Sequence, residues 1–294
     1  MSAVHLSYDR YSGPHPDGDK GGERSVPIVI LHGLFGSKRN WRSTARRLTQ
    51  TGGFDILVPD LRHHGDSPKE GVFTFDEMAE DIAAFIETAA GGSAVLLGHS
   101  VGGKAAVRTE MRFPEQVAGL ILADITPFEL PGLVCEELSL IAEALDDLPI
   151  SGINTRREAE EFLQPRIGDP GVVSFLLQNL RKSASPETIG YEWQIGLQAI
   201  RDNFGEICGA VLPSDDPGKV TAEGKGLRAD TSCLCIRGEA SPFFPPEDAE
   251  RLKLYFHDLE VTTISGTGHW LHVEKQDEFV DRVSDFMRSR DFFS

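Results

Sequence analysis

The pentapeptide Gly98-His99-Ser100-Val101-Gly102 constrains this chain more than any other stretch, because it sets a serine between two glycines. The apolar run Ala94-Val95-Leu96-Leu97 before it fits a buried strand, and Ala105, Ala106 and Val107 after it recur at helical spacing. A serine on such a strand-to-helix turn takes strained backbone angles that only small neighbours permit. Its hydroxyl then stands clear at the carboxyl end of a sheet, as a nucleophile elbow. The same residues spell G-x-x-x-x-G-K over 98–104, the spacing of a phosphate loop. A phosphate loop needs Ser or Thr next to hold magnesium, and Ala105 stands there instead.

A serine needs an imidazole to take its proton. His269, in Gly266-Thr267-Gly268-His269-Trp270, follows the strand-like run Leu259-Glu260-Val261-Thr262-Thr263-Ile264 and is the expected base. His5, His15 and His257 read as surface or loop residues, and His63 and His64 as loop residues. His99 reads as the variable position of the elbow, and His272 as packing beside Trp270. The imidazole in turn needs a carboxylate to fix its tautomer. Asp124 ends the apolar run 117–123, while Glu239 opens the loop after Cys233-Leu234-Cys235-Ile236-Arg237-Gly238. Asp124 is preferred and keeps the chain order Ser, Asp, His, although a turn or cap role before Thr126-Pro127 would also suit it. Charge on a carbonyl oxygen calls for two backbone N–H donors. Val101 supplies one, and the loop His32-Gly33-Leu34-Phe35-Gly36 the other, with Leu34 first and Phe35 second as candidate.

Five segments carry a wider resemblance: Leu31-His32-Gly33-Leu34-Phe35-Gly36-Ser37, Asp60-Leu61-Arg62-His63-His64-Gly65-Asp66-Ser67-Pro68, Gly98 onward through Gly103-Lys104, Asp124-Ile125-Thr126-Pro127 and Gly268-His269-Trp270-Leu271-His272. Through them nearly the whole chain resembles the α/β-hydrolases, most closely the abhydrolase domain-containing protein 11 family and the short bacterial esterases related to it. That resemblance places the triad acid in the Asp-Ile-x-Pro segment, in agreement with Asp124. The commoner place for the acid is the loop 239–242, where Ser241 occupies the usual position. The resemblance implies a serine esterase or lipase acting on acyl esters without cofactor or metal, with diacylglycerol-type lipids for animal members. Some fungal relatives resemble alcohol acyltransferases. The chain departs from the pattern at Val101, where Met is usual, and over 212–230, which reads as a longer loop. Animal members are associated with mitochondria, but the first residues carry no arginine-rich amphipathic helix, so a cytoplasmic location is expected.

The expected architecture is an α/β sandwich with a mostly parallel sheet. The core spans 1–127 and 213–294, and a helical lid over 128–212 precedes the penultimate strand. A first strand over 4–10 precedes a Gly/Pro/Asp-rich surface loop at 12–22. Lid helices are expected over 135–145, 156–164, 172–181 and 186–203, with a closing helix over 277–288. Candidate pocket residues are Phe35, Phe128, Trp193 and Trp270, with Leu133, Leu138, Phe175, Leu176 and Ile195 from the lid. The turn 60–68 reads as structural, with Arg62 a backbone brace. With 29 basic against 46 acidic residues the net charge is −17, which disfavours nucleic acid and anionic membrane surfaces. A neutral small-molecule or lipid ester is the expected partner. No apolar run matches a bilayer span, so no integral membrane association is expected. Four cysteines give no disulfide framework, and Cys233 and Cys235 should face one side of a strand. An acyltransferase, a non-catalytic receptor on the same fold and, least favoured, a nucleotide hydrolase remain alternatives.

Overall fold

The structure, a computed structural model, describes residues 3–13, 26–183, 190–212, 230–290 and 292. Most of the 12–22 loop, all but the ends of 212–230 and the start of the expected 186–203 helix lie outside the described residues.

Short apolar runs form the strands. The main sheet contains β1 (Tyr8–Tyr11), β2 (Ile28–Leu31), β3 (Ile56–Pro59), β4 (Ala94–His99) and β5 (Val117–Ala123), then β8 (Cys233–Gly238) and β9 (Leu259–Ile264). Their order is β1-β3-β2-β4-β5-β8-β9, with only β1 antiparallel to its neighbour. Both faces of the central strands are covered, which is why they read as unbroken apolar runs rather than alternating ones. The period of two still sorts the side chains. Ile28 and Ile30 join Val95 and Leu97 on one face, while Val29 and Leu31 join Leu96 on the other. The first face packs on α1 (Arg42–Gly52) and α11 (Gln276–Ser289) through Ala45, Leu48, Phe279 and Val283. The second packs on α2 (Phe75–Phe85) and α3 (Val101–Arg112) through Met78, Ile82, Ala105 and Ala106.

The strand order creates the site. The chain runs from β2 outward to β3, then returns to β4 on the other side of β2, so the crevice opens at the carboxyl ends of β2 and β4. Register pairs Leu31 with Gly98 and His99 with Ala123, bringing the loops after β2, β4 and β5 side by side. Gly102 rests against the backbone of Leu31 and His32, where any side chain would collide with their carbonyls.

Between β5 and β8 lies an insert of α4 (Gly132–Asp146), α5 (Arg156–Ile167), α6 (Pro170–Leu177), α7 (Leu197–Asp202) and α8 (Phe204–Cys208). It is not all helical. β6 (Leu180–Lys182) and β7 (Tyr191–Trp193) form an antiparallel pair where the sequence pattern led us to expect the end of one helix and part of another. The β-favouring residues Tyr191 and Trp193 find cross-strand partners there, and pairing overrides a weak helical period. A disulfide joins Cys135 of α4 to Cys208 of α8 across a sequence separation of 73, a pairing that the expectation of no disulfide framework missed. Spacing along the chain carries no sign that these two helices meet. Cys233 and Cys235 do share one buried face, with sulfurs 3.9 Å apart. The remaining helices are α9 (Pro246–Leu252), after β8, and α10 (Leu271–Glu274), before α11. Among the described residues no helix is long and apolar enough to cross a membrane.

Candidate active site

Ser100 directly follows β4 and caps α3 with φ 54° and ψ −127°, a left-handed backbone that a side chain rarely adopts. The strain persists because neighbours over-determine it. The Ser100 amide donates to the Ala123 carbonyl at 3.2 Å, and Gly103 donates back to the Ser100 carbonyl at 2.8 Å. A side chain at Gly33 would stand 3.0 Å from the Ser100 Cβ, so glycine there lets the β2 loop approach the elbow.

Asp124, directly after β5, is fully buried and also left-handed, at φ 51°. Its Oδ2 accepts from His269 Nδ1 at 2.7 Å and from the Ser241 hydroxyl, and its Oδ1 accepts from the Gly238 amide at 2.8 Å. A carboxylate in this position holds the proton on Nδ1 and leaves the Nε2 lone pair free to accept another. Glu239 turns away and accepts from the Gly266 amide at 2.7 Å, bracing the loop that carries His269. Ser241, where the resemblance would more commonly place the acid, donates its hydroxyl to Asp124 instead.

His269 keeps 19 % of its side chain exposed and stacks on Phe243 with centroids 3.6 Å apart. Its own carbonyl accepts from His99 Nε2 at 2.9 Å, so the variable residue of the elbow braces the loop of the expected base. Burial, with His269 and His272 nearby, pushes His99 well below the usual imidazole range and keeps it neutral. His272 stacks on Trp41 at 4.1 Å rather than packing beside Trp270 as expected, and burial holds its pKa down at about 3. Glu274 straddles the same loop, accepting from the Gly268 amide at 2.9 Å and the Trp270 amide at 3.2 Å.

Ser100 and His269 open onto one cavity of about 400 Å³. Its walls are mostly apolar and include Leu34, Phe35, Leu138, Ile141, Phe175 and Trp270. Leu176, also expected there, lines it too. Phe128 and Trp193 do not. Phe128 is buried beneath the Arg251 guanidinium, and the Trp193 indole N–H donates to the Leu145 carbonyl at 3.3 Å inside the insert. Leu133 points outward at 80 % exposure, and Ile195 is buried away from the cavity. Helical spacing reported that these residues are apolar but not which face the fold would turn inward. Trp41, Ile141 and Phe243 line the cavity and escaped sequence reasoning for the same reason.

In the β2 loop the Phe35 amide is already used, donating to His64 Nε2 at 3.1 Å, which leaves Leu34 as the donor candidate. Val101 is the first residue of α3, where no intrahelical acceptor exists for its amide. Arg62 is a brace, as expected. It binds Asp81 through Nε at 2.6 Å and Nη2 at 2.8 Å, and Glu77 at 3.0 Å.

Residues 28–282 match the alpha/beta hydrolase family. The sn-1-specific diacylglycerol lipase ABHD11 of Danio rerio is 32% identical, over 98% of this chain and 84% of that protein. A probable alcohol acetyltransferase of Saccharomyces cerevisiae is 33% identical over 92% of this chain and 79% of that protein. Esterase YbfF of Escherichia coli is 27% identical over 90% and 92%. A solved structure titled marine microorganism esterase superposes with a TM-score of 0.82 at 30% identity, covering 97% of this chain and 100% of that one. Strand order, the serine turn and these relatives agree, and the chain belongs to the α/β-hydrolase family.

Proposed function

We propose that this chain is a serine carboxylic ester hydrolase acting on uncharged acyl esters. The observation that carries the reading is the 2.7 Å bond from a fully buried Asp124 to His269 beside the cavity onto which the strained Ser100 opens. Ser100 Oγ attacks the ester carbonyl carbon while His269 Nε2 takes its proton. The Leu34 and Val101 amides receive the charge that develops on the carbonyl oxygen. As the tetrahedral adduct collapses, His269 returns the proton to the departing alcohol and the acyl group stays on Ser100. Water, deprotonated by His269 in turn, attacks the acyl-enzyme, releases the acid and regenerates Ser100.

The lining supports an uncharged substrate. Among the described residues no Lys or Arg lines the cavity, while Glu137, Asp169 and Glu274 do. With a net charge of −17, such a site repels anionic esters and leaves acylglycerol-like and other neutral esters as the fitting class. The insert, roofing the cavity with Leu138, Ile141, Phe175 and Leu176, acts as the lid.

The test is hydrolysis of p-nitrophenyl esters from two to sixteen carbons by wild type, Ser100→Ala and Asp124→Asn. Turnover abolished in Ser100→Ala and sharply reduced in Asp124→Asn is expected. Wild-type inactivity on every ester would overturn the reading. The yeast relative favours a second reading, in which an alcohol replaces water in the last step. Transesterified product on adding ethanol would mark that outcome.

A further inference from the structure

The loop after β2 is held by a set of buried hydrogen bonds. His32 Nδ1 donates to the Gly33 carbonyl at 2.8 Å, and the Gly36 amide donates to the same oxygen at 3.0 Å. His32 Nε2 accepts from the Leu61 amide at 3.0 Å, which fixes its tautomer. His64 repeats the pattern, with Nδ1 donating to the Arg62 carbonyl at 3.0 Å and Nε2 accepting from the Phe35 amide at 3.1 Å. Both rings are fully buried, and burial keeps both neutral, as the two bonds accepted by Nε2 require. A trans peptide points its C=O and N–H in opposite directions. Pinning the Gly33 carbonyl therefore aims the Leu34 amide the other way.

The last hold comes from the insert. Phe35, a bulky residue at φ 58°, sits in the left-handed region, a conformation that survives only where its surroundings over-determine it. Its amide is tied to the core through His64, but its carbonyl accepts from Asn179 Nδ2 at 2.7 Å. Asn179 lies between α6 and β6 and is 4 % exposed. Its side chain also donates to the Leu176 carbonyl at 3.3 Å, and its own carbonyl accepts from the Gln194 amide at 2.7 Å. Leu176 lines the cavity.

The geometry points to Asn179 as a positioning residue, the link through which the insert that shapes the acyl pocket also holds the loop bearing the Leu34 amide. The inference rests on the esterase reading above. Asn179 touches no reacting atom. Losing it frees the Phe35 carbonyl, lets the strained peptide relax and misdirects the neighbouring Leu34 N–H. Pocket and oxyanion donor are then coupled, so an insert seated poorly costs rate as well as binding.

Asn179→Asp replaces the donor with a carboxylate oxygen at nearly equal volume, and Asn179→Ala serves if that variant fails to fold. Both are compared with wild type for kcat and KM on p-nitrophenyl butyrate, for Tm, and for the rate at which a fluorophosphonate labels Ser100. A fall in kcat of roughly 30- to 100-fold is expected, at or below the ~10²-fold lower limit for removing one oxyanion donor outright because the donor is misaimed rather than lost, with KM within about threefold. Tm should shift by no more than about 5 °C, and labelling should slow by the same factor as kcat. A merely structural role would instead raise KM or lower Tm while leaving kcat and labelling near wild type, and would overturn the proposal. Should wild type be labelled yet hydrolyse no ester, the esterase reading fails alone. Labelling rates then decide on Asn179, slowed in the variant if the link is real and unchanged if it is not. A wild-type Ser100 that resists labelling would overturn both.

Discussion

The carboxyl ends of the strands and the insert above them enclose one cavity by different physical means. The strand ends place Ser100, Asp124 and the His269 loop through parallel register and backbone held in costly conformations at φ 54° and 51°. Each group there is fixed by several hydrogen bonds, and Asp124 alone accepts three from side chains and backbone. The insert instead combines helices of 5 to 15 residues with a three-residue strand pair and one disulfide, and turns mainly apolar side chains to the cavity. The difference teaches that this molecule largely divides the proposed chemistry from selection, with Asn179 as the link between them. Rigid, strained elements carry the proposed reacting groups, while the insert sets what fits.

The comparison breaks most sharply at the acid. Asp124→Asn should lower kcat by roughly 10⁴-fold, because the amide favours the wrong imidazole tautomer, whereas Glu239→Gln should leave kcat within about twofold. Steady-state kinetics on one short ester separates them, and equal losses would mean that the strand ends share the role. Next comes the insert's stability. Cys135→Ser should cost about 4 kcal/mol, the loop-entropy scale for a 73-residue separation, with short-ester kcat unchanged. Urea denaturation monitored beside activity checks both halves, and a lost kcat would show that the two regions are less separate than drawn.

Lys104 sharpens the boundary between the regions. It rises from α3, just beyond the serine, and its buried Nζ donates to the Gly209 carbonyl at 2.6 Å and the Ile207 carbonyl at 3.2 Å. Burial lowers its pKa from 10.5 to about 7, and a neutral amine can make both bonds. Between pH 7 and 10.5 the unfolded chain therefore binds more protons here than the folded one, so Lys104's contribution to stability rises with pH across that window and is lower below it. Relative to Lys104→Met, wild type should gain up to about 1 kcal/mol per pH unit there, read from paired denaturation curves. A pH-independent difference would refute the neutral anchor. The smallest effect belongs to selection. Phe175→Ala, opening the wall against Trp270, should raise KM for long-chain esters about tenfold and leave short-chain kcat alone.

Much of the strand-end half was legible in the residues. Gly98 to Gly102 announced the turn, the end of the apolar run 117–123 favoured Asp124 over Glu239, and Gly268-His269 followed the last strand. All three signals are local, since strain needs glycine beside it and a strand end needs an apolar run before it. Phe128 and Trp193 were misplaced because an apolar residue on an irregular insert has several faces to choose from, and only packing selects one. His99, expected to be incidental, braces the His269 loop across 170 positions of sequence. The Cys135–Cys208 bridge escaped in the same way.

Residue pattern alone settled the order of strands and helices in the sheet-bearing core, the turn that lifts Ser100 and the chemical types available around it. These follow from short-range sterics and from the two periodicities that backbone geometry imposes. Only the tertiary structure decided which distant groups meet: Ser241 on Asp124, His64 and Asn179 on the two sides of Phe35, and the faces the insert turns to the cavity. Those contacts join residues up to 144 positions apart, and their partners are chosen by the packing of whole elements, which no local window of sequence encodes.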